Sequence, residues 1–138
     1  MRGAALVALG LLVASMACGG PPPPPPSAVI TADPERVCAG DAYATLIHLD
    51  AKASAPRLSL VSSRPDPAEL PLAFGWSFRG SAYTIEDGDV HADTITLRVA
   101  ADRPLFVTLR VENRSGGVAE AEHTIAIVLP DARGECVP

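Results

Sequence analysis

The sequence predicts an all-β fold, a single antiparallel β-sandwich of about seven strands that occupies residues 28–138. Short runs in which apolar and polar residues alternate recur along this region, and Gly, Pro, Asn and Asp separate them. Such alternation is typical of half-buried strands, and the regular spacing of short strands favours a sandwich. No stretch after residue 27 carries a sustained apolar stripe of helical period. The roughly 110 residues of this region suit one domain and leave no room for two.

The first half of the domain contains three predicted strands and one irregular segment. Residues 28–32 form a short strand, and residues 43–49 form the next. The irregular segment that follows predicts an edge strand at residues 55–61 and a proline-stiffened connection at residues 62–71. Residues 72–78 form the strongest core strand, with Trp76 in a buried, central-strand position and one face made of Leu72, Phe74, Trp76 and Phe78.

The second half contains three further predicted strands. Residues 93–99 and 105–111 alternate cleanly between apolar and polar side chains. Residues 113–117 have the sequence Asn-Arg-Ser-Gly-Gly, which is typical of a turn, and lead into a last strand at residues 120–129. The last two strands are therefore predicted to form a hairpin.

The N-terminal segment has the three features of an export signal. Arg2 supplies the positive start, residues 4–14 supply the apolar run, and Ser15 and Ala17 supply the small residues at the cut. The run is too short to span a bilayer, which takes about 20 apolar residues. Residues 1–17 are therefore predicted to be a cleaved signal peptide.

Cys18 follows the predicted cut and distinguishes two kinds of export. Ordinary secretion also accepts Ser15-x-Ala17, but Ser15-Met16-Ala17-Cys18 resembles a bacterial lipoprotein signal. The resemblance implies that the Cys18 thiol carries a diacylglycerol, which anchors the chain in the cell envelope with its domain in the periplasm or at the cell surface. Gly19 stands where Asp favours inner-membrane retention in enterobacterial lipoproteins, so the resemblance favours the outer membrane.

Residues 18–27 form the predicted linker between this anchor and the domain. Six consecutive prolines at residues 21–26 favour a polyproline II rod. At about 3.1 Å per residue, the rod separates the membrane from the domain by about 19 Å. A purposeful spacer and a plain linker both fit this composition.

The strongest strand and the last hairpin carry a second resemblance. The motif Phe74-x-Trp76-x-Phe78-x-Gly80, residues 104–117 and the last strand resemble the second half of PKD-like domains within the Ig-like superfamily. The likeness covers roughly residues 28–130, and it departs at Arg79 and Ser81, where the family has an acidic Gly-Asp-Gly turn. It implies a non-catalytic, extracytoplasmic interaction or spacer module.

Cys38 and Cys136 bracket almost the whole domain. An exported chain meets oxidising conditions, so a disulfide between them is the economical prediction, with two free buried thiols as the alternative. Closing so long a loop is worth about 4.7 kcal/mol in the chain-entropy model. The bridge differs from that of antibody domains, because the strand at residues 105–111 holds no cysteine.

The charge balance excludes some classes of partner. Removal of residues 1–17 takes away one charge, that of Arg2, and changes the net charge from −5 to −6. Nucleic acids and anionic lipid surfaces both require basic patches. We therefore expect no nucleic-acid partner, and a membrane contact that is made through the lipid on Cys18.

Residues able to perform catalysis do not form a recognisable set. His48, His91 and His123 lie on separate runs without the spacing of a zinc site, and they are predicted to be surface residues. Gly75-x-Ser77 begins like a hydrolase nucleophile elbow, but Arg79 stands where the second glycine belongs. The sequence therefore predicts no enzyme and no resident cofactor.

One acidic cluster is a candidate binding loop, formed by Glu86, Asp87, Asp89 and Asp93. Calcium takes carboxylate and carbonyl oxygens from several directions, whereas acidic glycine turns are also ordinary loop chemistry.

We expect a membrane-anchored extracytoplasmic lipoprotein with a non-catalytic Ig-like module for an unknown protein or glycan partner. The alternatives are an accessory subunit of an envelope complex and a weak glycan-binding or calcium-binding module.

Overall fold

The computed structural model describes residues 23–40 and 45–136, and within these ranges a pair of four-stranded β-sheets packs face to face. The predicted all-β sandwich is confirmed. None of the helical segments in the described ranges is long and apolar enough to cross a membrane. The strands are β1 (Thr31–Asp33), β2 (Arg36–Cys38), β3 (Thr45–Asp50), β4 (Ala73–Gly80), β5 (Tyr83–Asp87), β6 (Thr94–Val99), β7 (Leu105–Glu112) and β8 (Val118–Val128), with a 3₁₀ turn at Pro67–Glu69.

The strand order is that of an immunoglobulin-type sandwich. One sheet has the order β1-β3-β6-β5, and the other has the order β2-β8-β7-β4. Immunoglobulin domains of the constant type place strands A, B, E and D in one sheet and C, F and G in the other. Lettering β1 and β3 to β8 in chain order reproduces both sheets, and β2 is an eighth strand added beside the last one.

β2 makes the one parallel pairing among the named strands. Arg36, Val37 and Cys38 align with Ala126, Ile127 and Val128 of β8, whereas every other strand pair is antiparallel. The chain therefore changes sheets between β1 and β2, so that each sheet gains one short edge strand. The predicted antiparallel sandwich of about seven strands is thus one of eight strands with one parallel pair.

The core lies between the sheets and follows the alternation of the sequence. On β6 the side chains of Ile95, Leu97 and Val99 are buried, while the alternate residues of the strand face outward. β7 alternates in the same way from Leu105 to Val111. Because successive side chains of a strand point to opposite faces, one apolar residue in two is enough to build this core. The largest fully buried side chains are Ile47, Leu49, Ile95, Leu97, Leu105, Leu109 and Ile125.

Trp76 is buried as predicted, but its strand is not central. Among the described strands, β4 pairs only with β7 and forms the edge of its sheet. The loop before β6 covers that edge, because the Trp76 backbone N–H donates to Val90 O at 2.8 Å. The indole Nε1–H donates to Ala92 O, also at 2.8 Å. The buried Trp therefore needed a covering loop in place of a second neighbouring strand.

The predicted edge strand at residues 55–61 is wrong. This segment makes only isolated bridges, one between Ser27 and Ala55 and one between Leu58 and Pro65. Between Leu58 and Pro65 the chain turns back on itself instead of running along a sheet, and Ser63 takes a left-handed conformation at φ 54°.

Candidate functional site at the linker end of the sandwich

The predicted disulfide is present and closes one end of the sandwich. Cys38 and Cys136 are bonded, with their Cα atoms 5.8 Å apart. The Ala39 N–H donates to Val128 O at 2.9 Å, so the bridge lies where β2 and β8 end together. We call this the disulfide end. Residues 1–17 and Cys18, the predicted signal peptide and lipidation site, lie outside the described residues.

The predicted acidic loop is spread over two elements. Glu86 and Asp87 belong to the end of β5, and Glu86 forms an ion pair with Arg98 at 2.7 Å. The Asp89 carboxylate accepts a hydrogen bond from the His91 N–H at 2.6 Å, which is an ordinary loop contact. Within the described ranges, no three His, Cys, Asp or Glu side chains come together as a metal site requires. Calcium binding by these residues stays a prediction.

The three histidines lie apart and make separate contacts. The Nδ1 atom of His48 is 3.1 Å from Thr96 Oγ1, and that of His91 is 3.2 Å from Phe74 O. Both side chains are exposed, as predicted. His123 differs, because it is half-buried on β8 and its Nε2 atom is buried without a hydrogen-bond partner among the described residues. The prediction of a surface His123 is therefore wrong.

At the other end of the sandwich, one buried asparagine joins three separate segments. Asn113 follows β7 and is 2% exposed. Its Nδ2 donates to Pro24 O at 3.0 Å, and its Oδ1 accepts from the Arg57 N–H at 3.2 Å. The Asn113 N–H donates to Gly117 O at 2.8 Å and closes the turn before β8. The proline linker is therefore fastened to the domain at this point, which we call the linker end.

Gly117 allows the linker to lie against this turn. A Cβ atom at position 117 would overlap the carbonyl group of Pro24. Only a residue without a side chain leaves room for so close an approach of two backbones. Gly117 thus has a packing role, whereas Gly116, at φ 98°, serves to turn the chain.

Glu69 supports the same turn from beneath. This carboxylate is 5% exposed and accepts hydrogen bonds from Arg57 Nε and from the Ser115 N–H, both at 2.9 Å. Its backbone carbonyl accepts from the Arg114 N–H at 3.0 Å. Hydrogen bonds from the Ser115 hydroxyl, from Arg57 and from the Ser115 N–H lower the pKa of Glu69 to about 2. Glu69 is therefore ionised and satisfied. We call Arg57, Glu69, Asn113 and Ser115 the linker-end cluster.

An apolar loop projects from this cluster. Leu60 is 91% exposed and Val61 is 97% exposed, and the neighbouring Leu58 is also exposed. Arg57 begins the loop, and its carbonyl accepts a hydrogen bond from the Asp66 N–H at 2.9 Å. We call Leu58, Leu60 and Val61 the apolar tip. Single exposed apolar residues are common on protein surfaces, whereas here three exposed apolar side chains lie together on one loop.

An open depression of about 640 Å³ lies at the disulfide end. It is formed where the chain passes from β1 to β2, and its lining mixes charged and apolar residues. That lining consists of Asp33, Pro34, Glu35, Arg36, Val37, Cys38, Val128 and Cys136.

The linker-end cluster was not predicted from the sequence. The sequence pattern places Asn113 only in a turn and Glu69 in an irregular connection. The closeness of Asn113, Arg57 and Pro24 in space depends on tertiary pairing, since Asn113 lies 89 residues from Pro24 and 56 from Arg57. The one local signal of this contact is the Asn-Arg-Ser-Gly-Gly turn. Its second glycine, Gly117, has no side chain that would obstruct a close contact with another backbone.

Comparison with protein-family models, with curated proteins and with solved structures gives no match to the chain. The likeness to PKD-like domains and to bacterial lipoprotein signals therefore stays a prediction. The geometry of the sandwich and its linker end is what bears on function.

Proposed function

We propose that the protein is a lipid-anchored extracytoplasmic protein whose sandwich is a non-catalytic interaction module held close to the envelope membrane. The observation that supports the proposal best is the disulfide between Cys38 and Cys136. Disulfides persist in oxidising compartments, which fits export. The sequence holds three cysteines, so this pairing leaves Cys18 without a cysteine partner in its own chain. A thioether to diacylglycerol gives that thiol a role.

The docking of the linker supports a module that works near its anchor. Pro24 is hydrogen-bonded to the domain, and Ser27 exchanges two backbone hydrogen bonds with Ala55, of 2.8 and 3.0 Å. Only the residues before Pro24 remain to separate Cys18 from the sandwich. Because Pro24 is docked, Pro24, Pro25 and Pro26 add nothing to the distance between Cys18 and the sandwich, and the domain is held nearer the membrane than the whole linker would allow.

The loops of the linker end are the proposed interaction surface. Loops carried by a rigid sandwich are where such folds place binding residues. The buried charges beneath them are engaged in support, because Glu69 is held by Arg57 and Ser115. This arrangement gives the exposed loops a fixed base and assigns the charged cluster a structural role.

Replacement of Cys18 tests the proposal. We expect Cys18→Ser to move the protein from the detergent-rich to the aqueous phase in a detergent phase-separation experiment on envelope membranes, with the domain still folded. The matched control is Cys38→Ser/Cys136→Ser, which removes the two bonded cysteines and keeps Cys18. That variant should stay with the detergent. A Cys18→Ser protein that partitions like the unaltered chain would overturn the lipid anchor.

A further inference from the structure

Hydrogen bonds within the loop fix the shape of the apolar tip. The Ser59 N–H donates to Arg64 O at 2.7 Å, and the Ser63 N–H donates to Ser59 O at 3.0 Å. The Val61 N–H donates to Ser59 Oγ at 3.3 Å. These bonds close a tight turn that holds Leu60 and Val61 at its apex. The turn thus displays two apolar side chains to solvent.

The base of the tip is fixed to the same residue that fastens the linker. Asn113 accepts from the Arg57 N–H and donates to Pro24 O through one side chain. Val61 lies four residues beyond Arg57, a distance that extended chain covers in at most about 14 Å. The apolar tip and the docked linker therefore belong to one end of the sandwich.

The length of chain before Pro24 limits how far this end can be from the anchor. Pro24 is six residues beyond Cys18, so six Cα-to-Cα steps join the two positions. At no more than about 3.6 Å per residue, they reach at most about 22 Å. A domain tied to a bilayer through Cys18 consequently keeps Pro24 within about 22 Å of the lipid-bearing residue, and the tip lies at the same end of the sandwich.

The charges of the tip suit a membrane interface. Residues 57–65 hold Arg57 and Arg64 and no acidic residue, although the chain as a whole is acidic. Arg57 is turned back onto Glu69 and Asp66. Arg64 is exposed and makes no ion pair with any residue that the structure describes. Leucine and valine flanked by an arginine form the pattern of a segment that enters the headgroup region and leaves its cation at the phosphates.

We propose that Leu58, Leu60 and Val61 insert into the lipid surface on which the protein is anchored, as a second membrane contact that orients the sandwich with its disulfide end outward. This inference rests on the proposed lipid anchor. Binding to membranes scales with the apolar area that is buried, so three side chains orient a tethered domain without holding an untethered one.

Tryptophan fluorescence on tethered protein tests the contact directly. The chain from Cys18 onward contains every described residue, and its Cys18 thiol can be coupled to a maleimide lipid in phosphatidylethanolamine and phosphatidylglycerol vesicles that contain brominated lipid. We expect Val61→Trp emission to shift to the blue and to lose more than half its intensity relative to vesicles without bromine. The native Trp76 is 4% exposed and supplies a constant background.

Leu129→Trp is the matched control. Leu129 is 79% exposed and follows β8, whose other end begins beside the linker. At about 3.4 Å per residue, β8 runs for about 34 Å from the linker end to the disulfide end. Tryptophan at position 129 therefore lies at the end of the sandwich opposite to the tip and should stay unquenched. An unquenched Val61→Trp would overturn the proposal, as would a blue shift without bromine quenching, which indicates a second copy of the chain at the tip. The tether in this experiment is installed chemically. If the cell does not lipidate Cys18, the proposed function is wrong, but the fluorescence experiment still tests whether the tip inserts into lipid.

Discussion

The side-chain amide of Asn113 donates a hydrogen bond of 3.0 Å to the carbonyl oxygen of Pro24, 89 residues earlier in the chain. The contact fastens the linker to the turn between the last two strands. The linker end therefore belongs to the folded domain, and the predicted anchor is tied to a fixed point on the sandwich.

Removal of the Asn113 side chain is expected to destabilise the domain and release the linker. Asn113→Ala leaves the Arg57 N–H and Pro24 O without their partners, which costs about 2–3 kcal/mol of unfolding free energy. Urea denaturation measures this loss. Amide exchange at Ser27 and Ala55, which pair just after the docked proline, should also become faster.

Arg114→Ala is the control for that experiment. Arg114 is adjacent to Asn113, but its side chain is exposed and has no ion pair among the residues that the structure describes. Its loss should change the unfolding free energy by less than about 0.5 kcal/mol. Equal urea midpoints for the two variants would show that the Asn113 hydrogen bonds do not hold the linker end together.

Glu69 should make the stability of the domain depend on pH in the acid range. Its pKa is lowered from 4.5 to about 2 by hydrogen bonds from Ser115 and Arg57. Between these two values the unfolded chain binds a proton that the folded chain does not, so stability rises with pH. The contribution is complete above pH 4.5 and is lost as the pH falls through about 2.

Glu69→Gln should therefore flatten the dependence of the urea midpoint on pH across that interval. The exposed Glu35, replaced in the same way by Gln, supplies the matched control and should keep the slope of the unaltered protein. If Glu69→Gln keeps the full slope between pH 2 and 4.5, the carboxylate is not engaged as described.

The disulfide should stabilise the whole domain and β2 in particular. Cys38→Ser/Cys136→Ser opens a loop that spans 98 positions, and loss of a native disulfide costs about 2–5 kcal/mol. β2 has three residues and depends on β8 alone for its pairing. Removal of the disulfide should therefore accelerate amide hydrogen exchange more at residues 36–39 than at residues 105–112. A uniform change along the chain, or none, would contradict a local role for the bridge.

Trp76 is expected to contribute through its hydrogen bond as well as its size. Trp76→Phe leaves Ala92 O without the indole donor and opens a small cavity. Together these losses should lower the free energy of unfolding by about 2 kcal/mol. Tyr83→Phe is the comparable change without these losses. The Tyr83 ring packs on Phe78 with centroids 4.9 Å apart, a contact that Phe retains. Thermal unfolding should thus separate the two variants, and identical midpoints would argue against the Ala92 contact.

The sequence was sufficient for strands with enough length to show a period. β4, β6, β7 and β8 each have six or more residues, and their alternation predicts both the strand and its buried face. β2 escaped prediction because three residues carry no period, and β5 escaped because all five of its residues are exposed. Pattern analysis detects burial on one face, and these two strands lack a long buried face.

The candidate site could not be predicted from the sequence, for a different reason. Leu58 and Leu60 alternate with Ser59 as they would in a strand, so residues 55–61 were assigned to a sheet edge. The turn closed by Ser59 and Arg64 instead places them at an apex. The contact with Pro24 is made by the side chain of Asn113, which follows β7. No local sequence pattern indicates which turn will lie beside a linker.

The identity of the mature N-terminal residue tests the central claim most directly. Intact-mass and peptide mass spectrometry of protein extracted from envelope membranes should find a chain that begins at Cys18, with the mass of a diacylglyceryl group on its thiol. A chain that begins at Cys18 with a free thiol, or that is cut at another position, would contradict the lipid anchor on which this account of the protein depends.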